Sequence, residues 1–195
     1  MGNMFLPTNY SILDLEYTAW AGSRERDWSN KGEYREIIEI GIIAVNNDVE
    51  YDSLNILVCP RINPTLSKYI EDLTGISNKL IKTKGVDFSI AMNMLKNFSN
   101  QLNNKIFTYG DDDEVIKENL NIYSLKYNLD AFNFINIRPW IEEKLNIEKG
   151  SIDSSSLNII SGSKFNRKHR ALDDCRSIFN AIKYIKSNRD KKNEK

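Results

Sequence analysis

Ile37, Ile38, Ile40, Ile42, Ile43 and Val45 crowd one short stretch, and Tyr34 to Val45 reads as a buried strand. Asn46-Asn47-Asp48 then supplies turn chemistry, and Tyr51 to Val58 returns as a second strand, giving a hairpin-like pair. Upstream, Tyr10 to Tyr17 is a third segment rich in strand formers, separated by a polar loop from Trp20 to Glu33 that contains Gly22 and Gly32. Pro60 and Pro64 break the chain after the hairpin.

Beyond the prolines the period changes. Leu66, Ile70 and Leu73 fall at helical spacing, with Gly75 as a stop. Phe88, Met92, Leu95, Phe98 and Leu102 predict a second helix. Lys105 to Tyr109 is a short strand, and Val115, Ile116, Leu120 and Tyr123 mark a helix that begins near Asp111. Phe132 to Ile137 is a further strand ended by Pro139, and helices follow at about Trp140 to Leu145 and Ser155 to Ile160. Leu172, Cys175, Ile178, Phe179, Ile182 and Ile185 define an amphipathic final helix. Early strands joined by tight turns and later strands joined by helical crossovers predict an α/β fold: a mixed sheet with helices packed on it.

A length of 195 residues fits one globular domain. Acidic and basic residues balance at 27 each, which argues against gripping nucleic acid through a bulk basic surface. An enzyme that holds one chain end through metals remains open. The basic residues Lys164, Arg167, Lys168 and Arg170 cluster around the single histidine, His169. No apolar stretch is long enough to span a membrane, and Met1 to Pro7 lacks the pattern of a signal peptide. Cys59 and Cys175 have no metal-ligand spacing and read as free thiols, so the expected location is cytoplasmic.

Acidic residues gather at three distant points. Asp14 and Glu16 are two apart on a strand, so both leave the same face while Leu13 and Leu15 point into a core. Such a pair repels unless a cation lies between, and hard oxygen ligands suit Mg²⁺ or Mn²⁺. Taken alone, the pair also fits a solvent-facing strand. Asp111-Asp112-Asp113-Glu114 opens a helix, where acids are favoured, and Asp111 with Glu114 fits a capping box. His169 and Asp174 are five apart, about 500° around a helix, so they cannot share a face. His169 is therefore placed in the loop before the last helix and Asp174 in its first turns.

The order of strand acid pair, helix-start acid, loop histidine and helix acid resembles the DEDDh 3′→5′ exonucleases, a DnaQ-like group. The residues that carry it are Ile12-Leu13-Asp14-Leu15-Glu16-Tyr17-Thr18, Thr108-Tyr109-Gly110-Asp111-Asp112-Asp113 and His169-Arg170-Ala171-Leu172-Asp173-Asp174-Cys175. Glu36-Ile37-Ile38-Glu39-Ile40-Gly41 and Leu73-Thr74-Gly75-Ile76 resemble the branch holding the histone-mRNA exonucleases and KapD-like proteins. The resemblance covers roughly residues 8 to 186, with a long segment, Ala19 to Gly32, as a departure.

What the resemblance implies is specific. The fold would be RNase H-like, a mixed five-stranded sheet flanked by helices, with an exonuclease domain over 1–187 and a disordered basic tail over 188–195. Two Mg²⁺ or Mn²⁺ ions about 4 Å apart would be held by Asp14, Glu16, Asp113 and Asp174. Counting from a glycine three before the acid selects Asp113, with Asp112 as the fallback. His169 would be the general base. Backbone at Tyr17 and Thr18 would face the terminal 3′-hydroxyl, Leu73 would wedge against the end bases, and Lys164, Arg167, Lys168 and Arg170 would be phosphate contacts. The substrate would be the 3′ end of single-stranded RNA or DNA, released as nucleoside 5′-monophosphates. A proofreading subunit of a DNA polymerase and a non-catalytic nucleic-acid-binding module on the same fold are the alternatives.

Overall fold

The computed structural model describes residues 6–102, 105–161 and 169–193. Its centre is a five-stranded mixed sheet. Strands β1 (Asn9–Tyr17), β2 (Ile37–Asn46) and β3 (Val49–Leu57) pair antiparallel in sequence order. The two residues of the β2–β3 turn, Asn47 and Asp48, have φ of 49° and 59°, the left-handed conformation that a two-residue hairpin turn requires.

Two short helices and a longer one follow the hairpin. Helix α1 (Lys68–Thr74) is capped by the Ser67 hydroxyl, which accepts from Ile70 N, and ends at Gly75 with φ 72°. Helix α2 (Asn78–Lys84) is absent from the sequence reading: it has seven residues and one buried apolar side chain, Ile81, so no period is visible. Helix α3 (Phe88–Leu102) leads to β4 (Lys105–Thr108), which pairs parallel with β1. Helix α4 (Asp112–Ile122) connects to β5 (Phe134–Asn136), parallel to β4, so the sheet order is β3-β2-β1-β4-β5. Helices α5 (Arg138–Leu145), α6 (Leu157–Ser161) and α7 (Ala171–Asn193) follow.

Boundaries differ from expectation for local reasons. β2 begins at Ile37 rather than Tyr34, because the Asn119 side chain takes over as partner: its amide donates to Arg35 O and its oxygen accepts from Ile37 N. β5 loses Phe132, which closes a 3-10 turn over Asp130–Phe132 before Asn133 turns left-handed. Pro139 opens α5, where its missing N–H costs nothing. Helix α7 extends to Asn193.

β1 is central, and its side chains alternate between two cores. Leu13 and Leu15 pack with Phe88 and Met92 of α3 and with Val115 and Ile116 of α4. Tyr10 and Ile12 pack with Cys175, Ile178, Phe179 and Ile182 of α7. This second face carries the site. Helix α7 lies close on β2 because position 41 is glycine: a Cβ there would sit 2.5 Å from Ala171 C and Leu172 N.

Candidate active site

The face of β1 that covers α7 with Tyr10 and Ile12 continues as Asp14 and Glu16, and both acids are buried despite their charge. Across the β1–β2 ladder Asp14 pairs with Gly41 and Glu16 with Glu39. The side chains of directly opposed residues share a face, so Gly41 leaves room for the start of α7 beside Asp14.

Helix α7 then supplies its first-turn acids. Asp174 is buried and accepts from the Ser154 hydroxyl at 3.4 Å. Asp173 turns outward to Arg176, at 3.8 Å. His169, just before the helix, has a left-handed φ of 55°. Ligand atoms of Glu16, His169 and Asp174 lie within 4.8 Å of one another. The five-residue separation of His169 and Asp174 is thus reconciled by a loop residue and a helix residue meeting at one point.

The helix-start acids sort differently from the expected register. Asp113, the residue selected from sequence, points away and pairs with Lys117 at 2.9 Å. Asp112 is the one that faces the β1 acids: it accepts from the backbone amide of Leu15, and its charge bears on Asp14, Glu16 and Tyr17. One step along a helix is about 100°, which is why adjacent aspartates look in different directions. Asp111 occupies the N-cap position without a side-chain capping bond, so the expected capping box with Glu114 does not form; its carboxylate accepts from Asn136 instead, at 3.3 Å.

Electrostatics mark these four acids out. Burial, reinforced by Asp174, Asp112 and Glu16, drives Asp14 well above the usual carboxylate range, and the Ser154 hydroxyl opposes it. Burial likewise raises Glu16, with Asp174 and Glu39 adding to the effect and Arg170 working against it. Asp112 is pushed up to about 7 by burial, against hydrogen bonds from its own amide and that of Leu15. Asp174 also rises to about 7, through burial first and then the charge of Asp153. Four carboxylates held this way are short of positive charge, the state expected of a cation site.

The other expected contacts fare unequally. Tyr17 ends β1, half-buried, and its hydroxyl is pushed up to about 12 by burial and then by Asp112. The Thr18 hydroxyl is engaged in the fold: it donates to Tyr34 O and accepts from Glu36 N. Leu73 packs in a cluster with Ala19 and Trp28, just past Thr18. Arg170, expected among the phosphate contacts, is instead clamped by Glu39, with Nε 3.0 and 2.9 Å from the two carboxylate oxygens. Lys164, Arg167 and Lys168 lie outside the described residues.

Two participants had no assigned role in the sequence reading. Glu39 is a fully buried acid inside the apolar run of β2, and that contradiction between charge and surroundings was the available signal. Ser154 comes from the 3-10 turn Ser154–Ser156, and nothing in a run of serines singles it out.

An exonuclease family model, RNase_T, matches residues 11–182. Solved structures share the fold. The nuclease domain of 3′hExo, a DEDDh family member bound to rAMP, superimposes with a TM-score of 0.76 at 22% identity, covering 94% of this chain and 92% of that one. A 3′-exonuclease recognising the 3′ end of a histone mRNA stem-loop gives a TM-score of 0.78 at 21% identity, over 92% of this chain and 64% of that one. E. coli ExoI in a zinc-bound complex with ssDNA gives 0.69 at 12% identity, over 93% of this chain and 41% of that one. The chain therefore spans under two thirds of the latter two structures. No curated protein sequence matches this one.

Proposed function

The chain belongs to the RNase_T exonuclease family, and from that premise we propose that it is a metal-dependent 3′→5′ exonuclease of the DEDDh type. It hydrolyses the terminal phosphodiester of single-stranded RNA or DNA and releases nucleoside 5′-monophosphates. One observation carries this reading: Glu16 of β1 and Asp174 of α7 meet His169, and Asp14 of β1 and Asp112 of α4 stand near enough for their charges to bear on that group.

The donor set fits hard divalent cations. Oxygen ligands from four carboxylates suit Mg²⁺ or Mn²⁺, and the fold leaves these charges without enough positive partners. Asp14, Glu16, Asp112 and Asp174 would hold two ions. When bound, such ions lower the pKa of a water and neutralise charge that builds on the phosphate and leaving oxygen.

The chain's own groups supply the rest. His169 accepts the proton of the attacking water at an imidazole nitrogen, a task for which an imidazole is suited near neutral pH. Its place beside Glu16 and Asp174 puts that nitrogen next to the ion-binding carboxylates. Ser154, by donating to Asp174, fixes the orientation of one carboxylate. Tyr17 and Thr18, at the end of β1, offer backbone to the terminal nucleotide, and Leu73 in the adjoining cluster lies against the end base.

The test is digestion of 5′-labelled RNA and DNA strands of matched sequence, with Mg²⁺, Mn²⁺ or EDTA. Stepwise shortening from the 3′ end with release of mononucleotides, abolished by EDTA, is the expected result. Binding of either strand without any shortening would leave only a binding module on this fold.

A further inference from the structure

Glu39 is fully buried in β2, yet its carboxylate is completely engaged. Asn55 on β3 donates to one oxygen at 3.0 Å. Arg170 binds both oxygens through Nε. The backbone amide of Ala171, the first residue of α7, donates to the second oxygen at 3.0 Å. An acid from a neighbouring strand thus satisfies an orphan N–H of the helix and sits at the positive end of its dipole. Residues 170 and 171 are pinned at both side chain and backbone.

The residue immediately before this anchor is His169, whose φ of 55° is a conformation that non-glycine residues adopt only when their surroundings enforce it. Its imidazole meets Glu16 and Asp174. Glu16 is the ladder partner of Glu39, so one strand pair carries both the anchor and a carboxylate of the site.

We propose that the Glu39–Arg170 clamp is a positioning device for catalysis, holding His169 in its left-handed conformation with the imidazole against Glu16 and Asp174. Glu39 and Arg170 are positioning residues: neither touches the substrate, and both act through the backbone of 169–171. The clamp needs the two-pronged geometry of a guanidinium, which a lysine ammonium cannot reproduce. The inference rests on His169 being the general base.

The experiment uses the full chain with Arg170→Lys. His169 is the chain's single histidine, so its ring gives one set of imidazole NMR signals, an uncluttered reporter of its surroundings. The expected result is a fall in kcat of about 10²-fold, the scale of an ångström-sized misplacement, with KM for the oligonucleotide and the Mn²⁺ requirement unchanged. The His169 ring signals shift or broaden in the same variant. Unchanged kcat and ring signals overturn the proposal. So does a fall in kcat with unmoved ring signals, because Arg170 then acts on the substrate directly. The double variant Glu39→Gln with Arg170→Gln removes both charges together and repeats the test should the lysine variant fold poorly. If the unaltered protein shows no nuclease activity, the function fails, while the ring signals still report on the clamp.

Discussion

Glu16 and Glu39 face each other across the β1–β2 ladder, two buried carboxylates on the same side of one sheet. Like charges directly opposed destabilise a sheet. The conflict is resolved unequally: Glu39 takes Arg170, while Glu16 keeps the company of Asp174 and His169. One member is neutralised by protein and the other is left for a cation. Removing Arg170 alone would leave Glu39 as a buried, unpaired charge.

His169→Ala should lower kcat by about 10²–10⁴-fold, the range general-base catalysis contributes, and leave the thermal midpoint and Mn²⁺ affinity close to those of the unaltered protein. The side chain is half-buried and outside the cores, so little packing is lost. Single-turnover assays with a labelled oligonucleotide provide the measurement. Turnover close to normal would remove the imidazole from the mechanism.

Asp112→Ala and Asp113→Ala should separate cleanly. The first removes a carboxylate that faces Asp14, and activity should drop to background. The second removes a partner of Lys117 on the half-exposed flank of α4, a pair of the kind worth about 0.3–0.5 kcal/mol, and activity should stay within about two-fold. An inactive Asp113→Ala alongside an active Asp112→Ala would restore the register counted from the glycine.

Gly41→Ala should weaken fold and activity together. The new Cβ would lie 2.5 Å from backbone atoms of Ala171 and Leu172, which cannot swing aside as a flexible side chain could. Overpacking of this kind costs about 1–3 kcal/mol, and helix α7 must move away from β2 to relieve it. That movement carries Asp174 and His169 away from β1. Calorimetry and nuclease assay on the same preparation check both effects. A stable and fully active variant would mean that the helix can shift without disturbing the site.

The sheet was legible because its strands are written in extremes. Ile37 to Val45 admits few readings, and Asn47-Asp48 marks its turn. Asp14 and Glu16 were legible through a spacing of two, which places them on one face whatever else happens. The choice between Asp112 and Asp113 was not, because a helix start tolerates acids at several adjacent positions and only the direction of the first turn separates them. Arg170 misled for a related reason: beside a histidine, a cation suggests phosphate, and its true partner lies 131 positions upstream. Glu39 needed the third dimension entirely, since the apolar run around it shows that it is buried but not what it holds.

The acid cluster also fixes how stability depends on pH when metal is absent. Unfolded aspartate and glutamate titrate near 3.9 and 4.3. In the folded chain Asp14 and Glu16 lie well above that range, and Asp112 and Asp174 reach about 7. Between about pH 4 and pH 7 the native state therefore holds more protons at these groups than the unfolded chain, and their contribution to stability declines as pH rises through that window. Above it Asp112 and Asp174 are charged in both states, and their share of the slope ends there. A divalent ion takes over the role of the protons and binds the native site in preference to the unfolded chain, so it restores stability by mass action. For EDTA-treated protein, Tm should fall between pH 5 and pH 8, and Mn²⁺ should raise it more at pH 8 than at pH 5. Replacing Asp14 and Asp174 by asparagine together should flatten the pH slope and shrink the Mn²⁺ effect, because two of the mutually repelling charges are gone. Calorimetric scans across this grid decide the matter: a metal-free Tm that is flat or rises with pH, or the same slope in the double asparagine variant, would mean these carboxylates are not the groups that set it.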